Sequence, residues 1–514
     1  MIYSKILFLF MKALKNMKSI ILLISIFLLP SIQIYAANYP LEIIQPRAGL
    51  TTTNRFYKAY PGLEYNVRMA VIGGAYPFVY SLSAAPVGMT INSSTGEILW
   101  PNPLTVGSPH AVTARVTDSE STIQTVSFTV TVTTSGFRFI DAINGRAATS
   151  GGTGTISNPW KSILDMYEGN TYESKRADSY ANEFLYFLNG TYFTNVAFTE
   201  DGTRVPLVEY KKPLVWLAYP NTQPVIDLSG LGTLAIYGGG NNAYFDGLTF
   251  KINTNTRKIG ISIESGASNV TFRRNIFDGG NMVGVVGGNN ALLFITNSGK
   301  GNYWSLQDNI GKNVSGGYWL LGYTANKVLV ENNIISNISG HSIGPKLNVS
   351  NWFIRGNQIT NASGDGINVM YYATSEDIEI SYNRVQMNSG NAVSLNQERV
   401  STGGDVYVYR NTLQGGVRIY NVTSTNGPFL FSKNVIINDT ISDKITRNEI
   451  TDPSRLISTD NLGGISSQNI VDINGKLTPN FIKYLGTHGF EIGSSTPANS
   501  STLGNPQNLR VNTP

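Results

Sequence analysis

Residues 328–371 read VLVENNIISNISGHSIGPKLNVSNWFIRGNQITNASGDGINVMY, and two units of one pattern lie inside them. Each unit is a short alternating apolar run, an asparagine, more apolar residues, a Gly or Asn turn and a second alternating run. Outward from this stretch the same pattern recurs as FRRNIF, LQDNIG, VENNII, IRGNQI, ISYNRV, VYRNTL and FSKNVI. Its asparagines are Asn275, Asn309, Asn333, Asn357, Asn383, Asn411 and Asn434, spaced by 34, 24, 24, 26, 28 and 23 residues. A repeat of this length marks a stacked architecture. With no room for a long helix in the unit, it predicts a solenoid of β-coils. Asparagine accepts the left-handed backbone and satisfies turn groups, so the repeated residue is expected at a bend, bonded to its counterparts in the neighbouring coils.

The second strands of consecutive units, HSIGPKL (341–347), DGINVMY (365–371), NAVSLNQ (391–397) and GGVRIYN (415–421), supply a register. Ile343, Ile367, Val393 and Val417 form one apolar column, and Pro345, Val369, Leu395 and Ile419 a second. Side chains alternate across a strand. The columns Gly344, Asn368, Ser394, Arg418 and Lys346, Met370, Asn396, Tyr420 are therefore expected to face outward. In the same reading the segment MVGVVGG (282–288) pairs with IGISIES (259–265), setting Ser262 beside Gly284.

These residues resemble the right-handed parallel β-helix proteins of the pectate lyase superfamily, over residues 135–490. FRFIDAINGRAATSGGTGTISNPWKSILDMY (137–167) is similar to the strand, Gly-rich loop and short amphipathic helix that cap such a helix. A cap is physically required, because an open coil end would expose apolar core and an unpaired sheet edge. Residues 38–134 follow another grammar: alternating strands at short spacing, bounded by turns, as in an Ig-like β-sandwich. PVGMTINSSTGEILWPNP (86–103) resembles the cadherin-like Ig modules of bacterial secreted proteins. This module reads as a spacer or accessory binding domain, with Trp100 in its packing. The fold class is thus all-β, an N-terminal Ig-like β-sandwich followed by a right-handed parallel β-helix, with a loose tail over 491–514.

The first 37 residues carry Lys5, Lys12, Lys15 and Lys18, then an apolar run and a small-residue end, which is the pattern of a signal peptide. The run is shorter than a bilayer span requires. The expected product is secreted, periplasmic or on the cell surface, with no membrane segment after cleavage. Removing that leader takes four of the 38 basic residues and none of the 33 acidic ones, so a formal charge of +5 falls to +1. No basic stripe remains for nucleic acid. The absence of cysteine excludes disulfides and thiolate metal sites, and three histidines are too few for a zinc cluster.

The outward patch mixes amides, rings and cations, the chemistry that binds carbohydrate. Asn368, Asn396, Gln397, Glu398 and Tyr420 are the candidate binding residues. Lys346 stands where Ile-x-x-Lys presents a lysine. The alginate lyases and chondroitinase B of this superfamily have a similar Ile-Ser-Val-Lys strand, and that resemblance implies Lys346 as Brønsted base. Their following arginine is replaced here by Met370, which leaves Arg399 or Arg418 as charge stabiliser and Tyr371 or Tyr372 as acid or stacking platform. A base of this kind needs neighbours such as Arg355, Arg399 or Arg418. His341 and Asp365 hold equivalent turn positions and are similar to pieces of polygalacturonases, although no Asp-Asp pair occurs. Asp377 and Glu379 in TSEDIEI could hold Ca²⁺, the one cofactor considered. The resemblance implies a monomeric enzyme on an acidic polysaccharide, most directly a lyase. The alternatives are a glycoside hydrolase using two of Asp365, Asp377, Glu398 and Asp405, or a non-catalytic glycan-binding surface protein.

Overall fold

The computed structural model describes residues 39–47, 54–166, 183–193, 208–210, 215–227, 236–238, 241–252, 259–263, 267–283, 291–295, 301–371, 376–397, 405–420, 429–437, 445–448, 456–459 and 462–465. The expected leader and tail lie outside them. Among the described residues no helix is long and apolar enough to cross a membrane.

The N-terminal module packs a four-stranded sheet on a three-stranded one. The first runs in the order Lys58–Ala59, Ile123–Val132, His110–Thr117, Val79–Ala84, and the second Tyr65–Arg68, Glu97–Trp100, Thr90–Ile91. Strand alternation sends Val112, Ala114 and Val116 inward against Val126, Phe128 and Val130. Trp100 is buried in this core and its indole N–H donates to the Val87 carbonyl at 3.1 Å.

The rest of the described chain winds as a right-handed parallel β-helix. One wall is a 12-stranded sheet that runs from Phe137–Ile140 to Leu456–Thr459. The other 19 strands alternate between two faces joined at a corner, and every pairing among them is between coils. Ile343, Ile367, Val393 and Val417 stack in register, as do Val369, Leu395 and Ile419. Of these, Ile343, Ile367, Val393, Val417, Val369 and Leu395 are buried, as the sequence pattern gives. The interior adds aromatic stacks, with Phe245 over Phe272 at 4.8 Å and Phe250 over Phe277 at 5.4 Å between ring centroids. Trp160 and Ile163 pack in the core of the first coil, and where an amphipathic cap helix is expected the described residues form a 3-10 turn at Ile163–Met166. One register differs from expectation. Ser262 pairs with Phe294, while Met282 and Val283 pair with Val314 and Ser315, because residues 276–283 form a long strand on the neighbouring face.

The repeated asparagines form one internal ladder. The Asn333 Nδ2 donates to Asn357 Oδ1 at 2.9 Å and to the Leu306 carbonyl at 2.9 Å, and its backbone N–H also reaches Asn357 Oδ1, at 3.0 Å. The same set recurs from Asn275 through Asn411. The left-handed backbone, however, belongs to the residue before each asparagine: Arg274, Asp308, Asn332, Gly356, Tyr382, Arg410 and Lys433. The bend is made by that residue, and the asparagine behind it turns its amide inward.

At the other corner glycines stack on one another. A Cβ on Gly340 would lie 1.9 Å from the Gly317 carbonyl oxygen, and one on Gly364 2.3 Å from that of Gly340. No side chain fits between coils at that point.

The Ig-like module lies against the outer face of the 12-stranded sheet. Its core merges with Phe137, Phe139, Phe184, Tyr186 and Tyr244, and Tyr39 packs edge-on against Phe353 and Tyr407 far along the solenoid. Between these apolar ends runs a buried polar band. Arg68 pairs with Asp308 and, at 2.8 Å, with Glu331; Arg355 pairs with Glu331 at 3.1 Å and donates to the Val71 carbonyl at 2.7 Å. Arg273 bridges to Glu97 of the module. A detached spacer would leave these charges in water. The module is instead a side plate covering one wall of the solenoid.

Candidate functional site

With one wall covered, the strands Tyr318–Tyr323, His341–Lys346 and Ile367–Tyr371 carry the outward chemistry of three successive coils. Tyr318 pairs with His341 in register, and Tyr323 with Lys346. The His341 ring lies 4.8 Å from the Tyr318 ring, tilted by 33°. Its Nδ1 accepts the Asp365 backbone N–H at 2.9 Å and stands 3.4 Å from the Asp365 carboxylate. Asn391, one coil further, donates its side-chain N–H to Asp365 at 2.9 Å. A backbone N–H can only donate, so Nδ1 carries the lone pair and the ring proton sits on Nε2. Burial lowers the His341 pKa; Asp365 opposes that, and the Lys346 ammonium adds to it. His341 is therefore a neutral imidazole whose Nε2–H is the available donor.

Lys346 is half-buried, with its ammonium 5.9 Å from the centre of the Tyr323 ring, and Met370 is its partner in the next coil. His341 and Asp365 thus meet between neighbouring coils, while Lys346 stands at the far end of the His341 strand and acts on the ring through its charge. Other expectations need correction. Gly344, Asn368 and Ser394 are not displayed but buried. The Tyr318 ring lies over Gly344, where a Cβ would come within 2.4 Å of its edge, and Asn368 Nδ2 donates to the Tyr318 hydroxyl at 3.4 Å. Asn368 props Tyr318 from beneath.

Arg418 is exposed but stands in the column Asn368, Ser394, Arg418, three coils beyond Lys346. Coils stack at about 4.8 Å, which puts it roughly 14 Å along the axis, too far to stabilise charge beside Lys346. Arg355 is locked in the band beneath the Ig-like module and cannot act on Lys346 either. Glu379 is buried on that same wall, beside Ser381 and within the field of Arg355. Asp377 has a left-handed backbone, which breaks the alternation that would align the two carboxylates for Ca²⁺. Among the described residues, no group of three His, Asp or Glu could hold a metal ion. Tyr372, Glu398 and Arg399 lie outside the described residues; Tyr371, Asn396, Gln397 and Tyr420 close their strands.

Around the corner from His341 an open groove of about 590 Å³ runs along the solenoid, lined by Lys251, Asp278, Asn313, Asn337, Asn361 and the serines beside them. Asn361 Nδ2 donates to Asn337 Oδ1 at 3.5 Å, Asn337 to Asn313 at 3.3 Å, and Asn313 to Asp278 at 2.8 Å. Burial alone would raise the Asp278 carboxyl, but Asn313, the Gly280 N–H and Lys312 together hold it below its usual value. Sequence reasoning overlooked this column and Tyr318. The signal was present: N-x-x-x-N-x-S occurs at 309–315, 333–339 and 357–363, in phase with the internal ladder.

The family model described as "Putative Ig domain" matches residues 48–133. The module ahead of the solenoid is Ig-like. No curated protein matches the chain. A solved structure titled "Rhamnogalacturonan lyase" aligns with 72% of this chain and 98% of its own length, at 13% identity and a TM-score of 0.39.

Proposed function

We propose that this chain is an exported polysaccharide-degrading enzyme that cleaves uronic-acid glycans by β-elimination on the face of His341–Lys346. The supporting observation is a neutral imidazole, fixed in one tautomer by a backbone N–H, on the same strand as a half-buried lysine and beside a long polar groove. In this reading Lys346 takes the proton α to the uronate carboxylate. The electron pair left on carbon is delocalised into the carboxylate, whose oxygen is met by the His341 Nε2–H. Neutral donors placed where charge develops supply most of such stabilisation. The enolate then expels the glycosidic oxygen, a carbon–carbon double bond forms, and the proton held by Lys346 passes to the leaving oxygen. Asp365 and Asn391 position the imidazole, and Tyr323 holds the lysine. Tyr371, at the end of the next strand, is the candidate platform for the sugar ring. The basic and apolar leader supports export.

Mass spectrometry of products from polygalacturonate, alginate and chondroitin sulfate tests the reaction type. Fragments lacking one water relative to simple hydrolysis products are expected, and fully hydrated fragments would refute elimination.

A further inference from the structure

We propose that the corner groove along Asn313, Asn337 and Asn361 is a binding track for a linear polysaccharide laid parallel to the solenoid axis, one sugar per coil. The proposal rests on the polysaccharide reading above and adds where the polymer is held away from the bond that is cut. Each of three coils presents the same pair, an asparagine amide and, two residues on, a serine hydroxyl: Asn313 with Ser315, Asn337 with Ser339, Asn361 with Ser363. Stacking repeats the pair at about 4.8 Å, close to the advance of one pyranose in an extended chain.

Bonding capacity remains along the track. Within the ladder each amide commits one N–H to its neighbour, which leaves the second N–H and a carbonyl lone pair for a ligand. Ser339 Oγ accepts the Gly316 N–H at 2.7 Å, so its own hydroxyl hydrogen can be offered outward. The charges nearby are matched, Lys312 with Asp278 at 3.3 Å and Lys251 with Asp227 at 3.7 Å. The track thus meets the hydroxyl groups of the polymer through its amides and serines, without a net charge of its own.

It is also rigid. All three asparagines hold a left-handed backbone, with φ of 61°, 57° and 53°, anchored in the sheet corner. A ligand would order little on binding, which keeps the entropic cost of association low.

Glycine accepts that backbone without a side chain, so Asn337→Gly/Asn361→Gly removes two amides while keeping the turn. Affinity electrophoresis of the full chain through gels containing polygalacturonate, alginate or xylan gives the readout, with thermal melting to confirm that the variant is folded. The unchanged protein is expected to be retarded by at least one polymer, and the folded variant to bind that polymer about tenfold more weakly, the effect of losing one or two hydrogen bonds. If the variant melts early, Asn337→Asp/Asn361→Asp, which keeps the turn but repels an anionic polymer, is measured with polygalacturonate instead. Equal retardation of variant and unchanged protein, or no retardation by any of the three polymers, overturns the track. The two readings fail separately. A chain that cuts polymer but ignores the ladder changes loses the track alone, and one retarded through the ladder that cuts nothing loses only the reaction.

Discussion

Asn357 shows what a single residue does in this fold. Its amide donates to the Val330 carbonyl at 2.8 Å and to Asn383 at 2.9 Å, and its oxygen accepts the backbone N–H and the amide of Asn333. Replacing it with alanine strands several buried groups at once, so Asn357→Ala is expected to cost about 3 kcal/mol or more, measured by chemical denaturation. At the outer patch, the tautomer of His341 is the residue-scale fact on which the proposed chemistry turns. Lys346→Ala is expected to abolish turnover, and His341→Gln, which keeps a side-chain N–H, to reduce it less than His341→Ala. The folded state lowers the His341 pKa, so it favours the neutral ring. Stability from this contact is complete above the ordinary value of 6.5, declines as pH falls below it, and levels off once the folded ring is itself protonated. Melting of the native chain and of His341→Gln across that window checks the sign, since only the native chain should show this dependence.

At the scale of strands and turns, much was legible because stacking demands it. A ladder works only if each coil offers the same residue, so Asn275 to Asn434 stand out in the sequence and carry the register of Ile343, Ile367, Val393 and Val417 with them. Which residue bends was not legible, since Arg274, Tyr382 and Lys433 are poor left-handed formers by type. Nor does alternation reveal what an outward residue meets. Arg355 and Glu379 alternate as solvent-facing positions would, yet they lie beneath the Ig-like module, and Asn368 lies beneath Tyr318. The corner glycines set a further expectation. Gly340→Ala pushes a methyl group into the Gly317 backbone, and a core-type loss of about 1–3 kcal/mol is expected from overpacking.

For the whole molecule, the side plate is the arrangement the sequence did not display. Two compositional blocks read as separate domains, but they share one apolar cluster and a buried ionic band. A single cooperative melting transition is therefore expected by calorimetry, not one per block. Arg68→Met removes one partner from each of the carboxylates Asp308 and Glu331 and should destabilise by about 3 kcal/mol. Burial alone would raise Glu331, but Arg68, Arg355 and Gln307 hold its carboxyl below the usual range. That contribution is present above the ordinary Glu pKa and is lost as pH falls through the depressed folded value. The plated wall leaves the opposite faces uncovered by the module, and there the proposed reaction has a direct readout. Ultraviolet absorbance during incubation with polygalacturonate, alginate and chondroitin sulfate should rise as conjugated unsaturated uronate forms on at least one polymer, and should stay flat with Lys346→Ala. Release of reducing ends without that absorbance, or an undiminished rise with Lys346→Ala, would contradict elimination at this site.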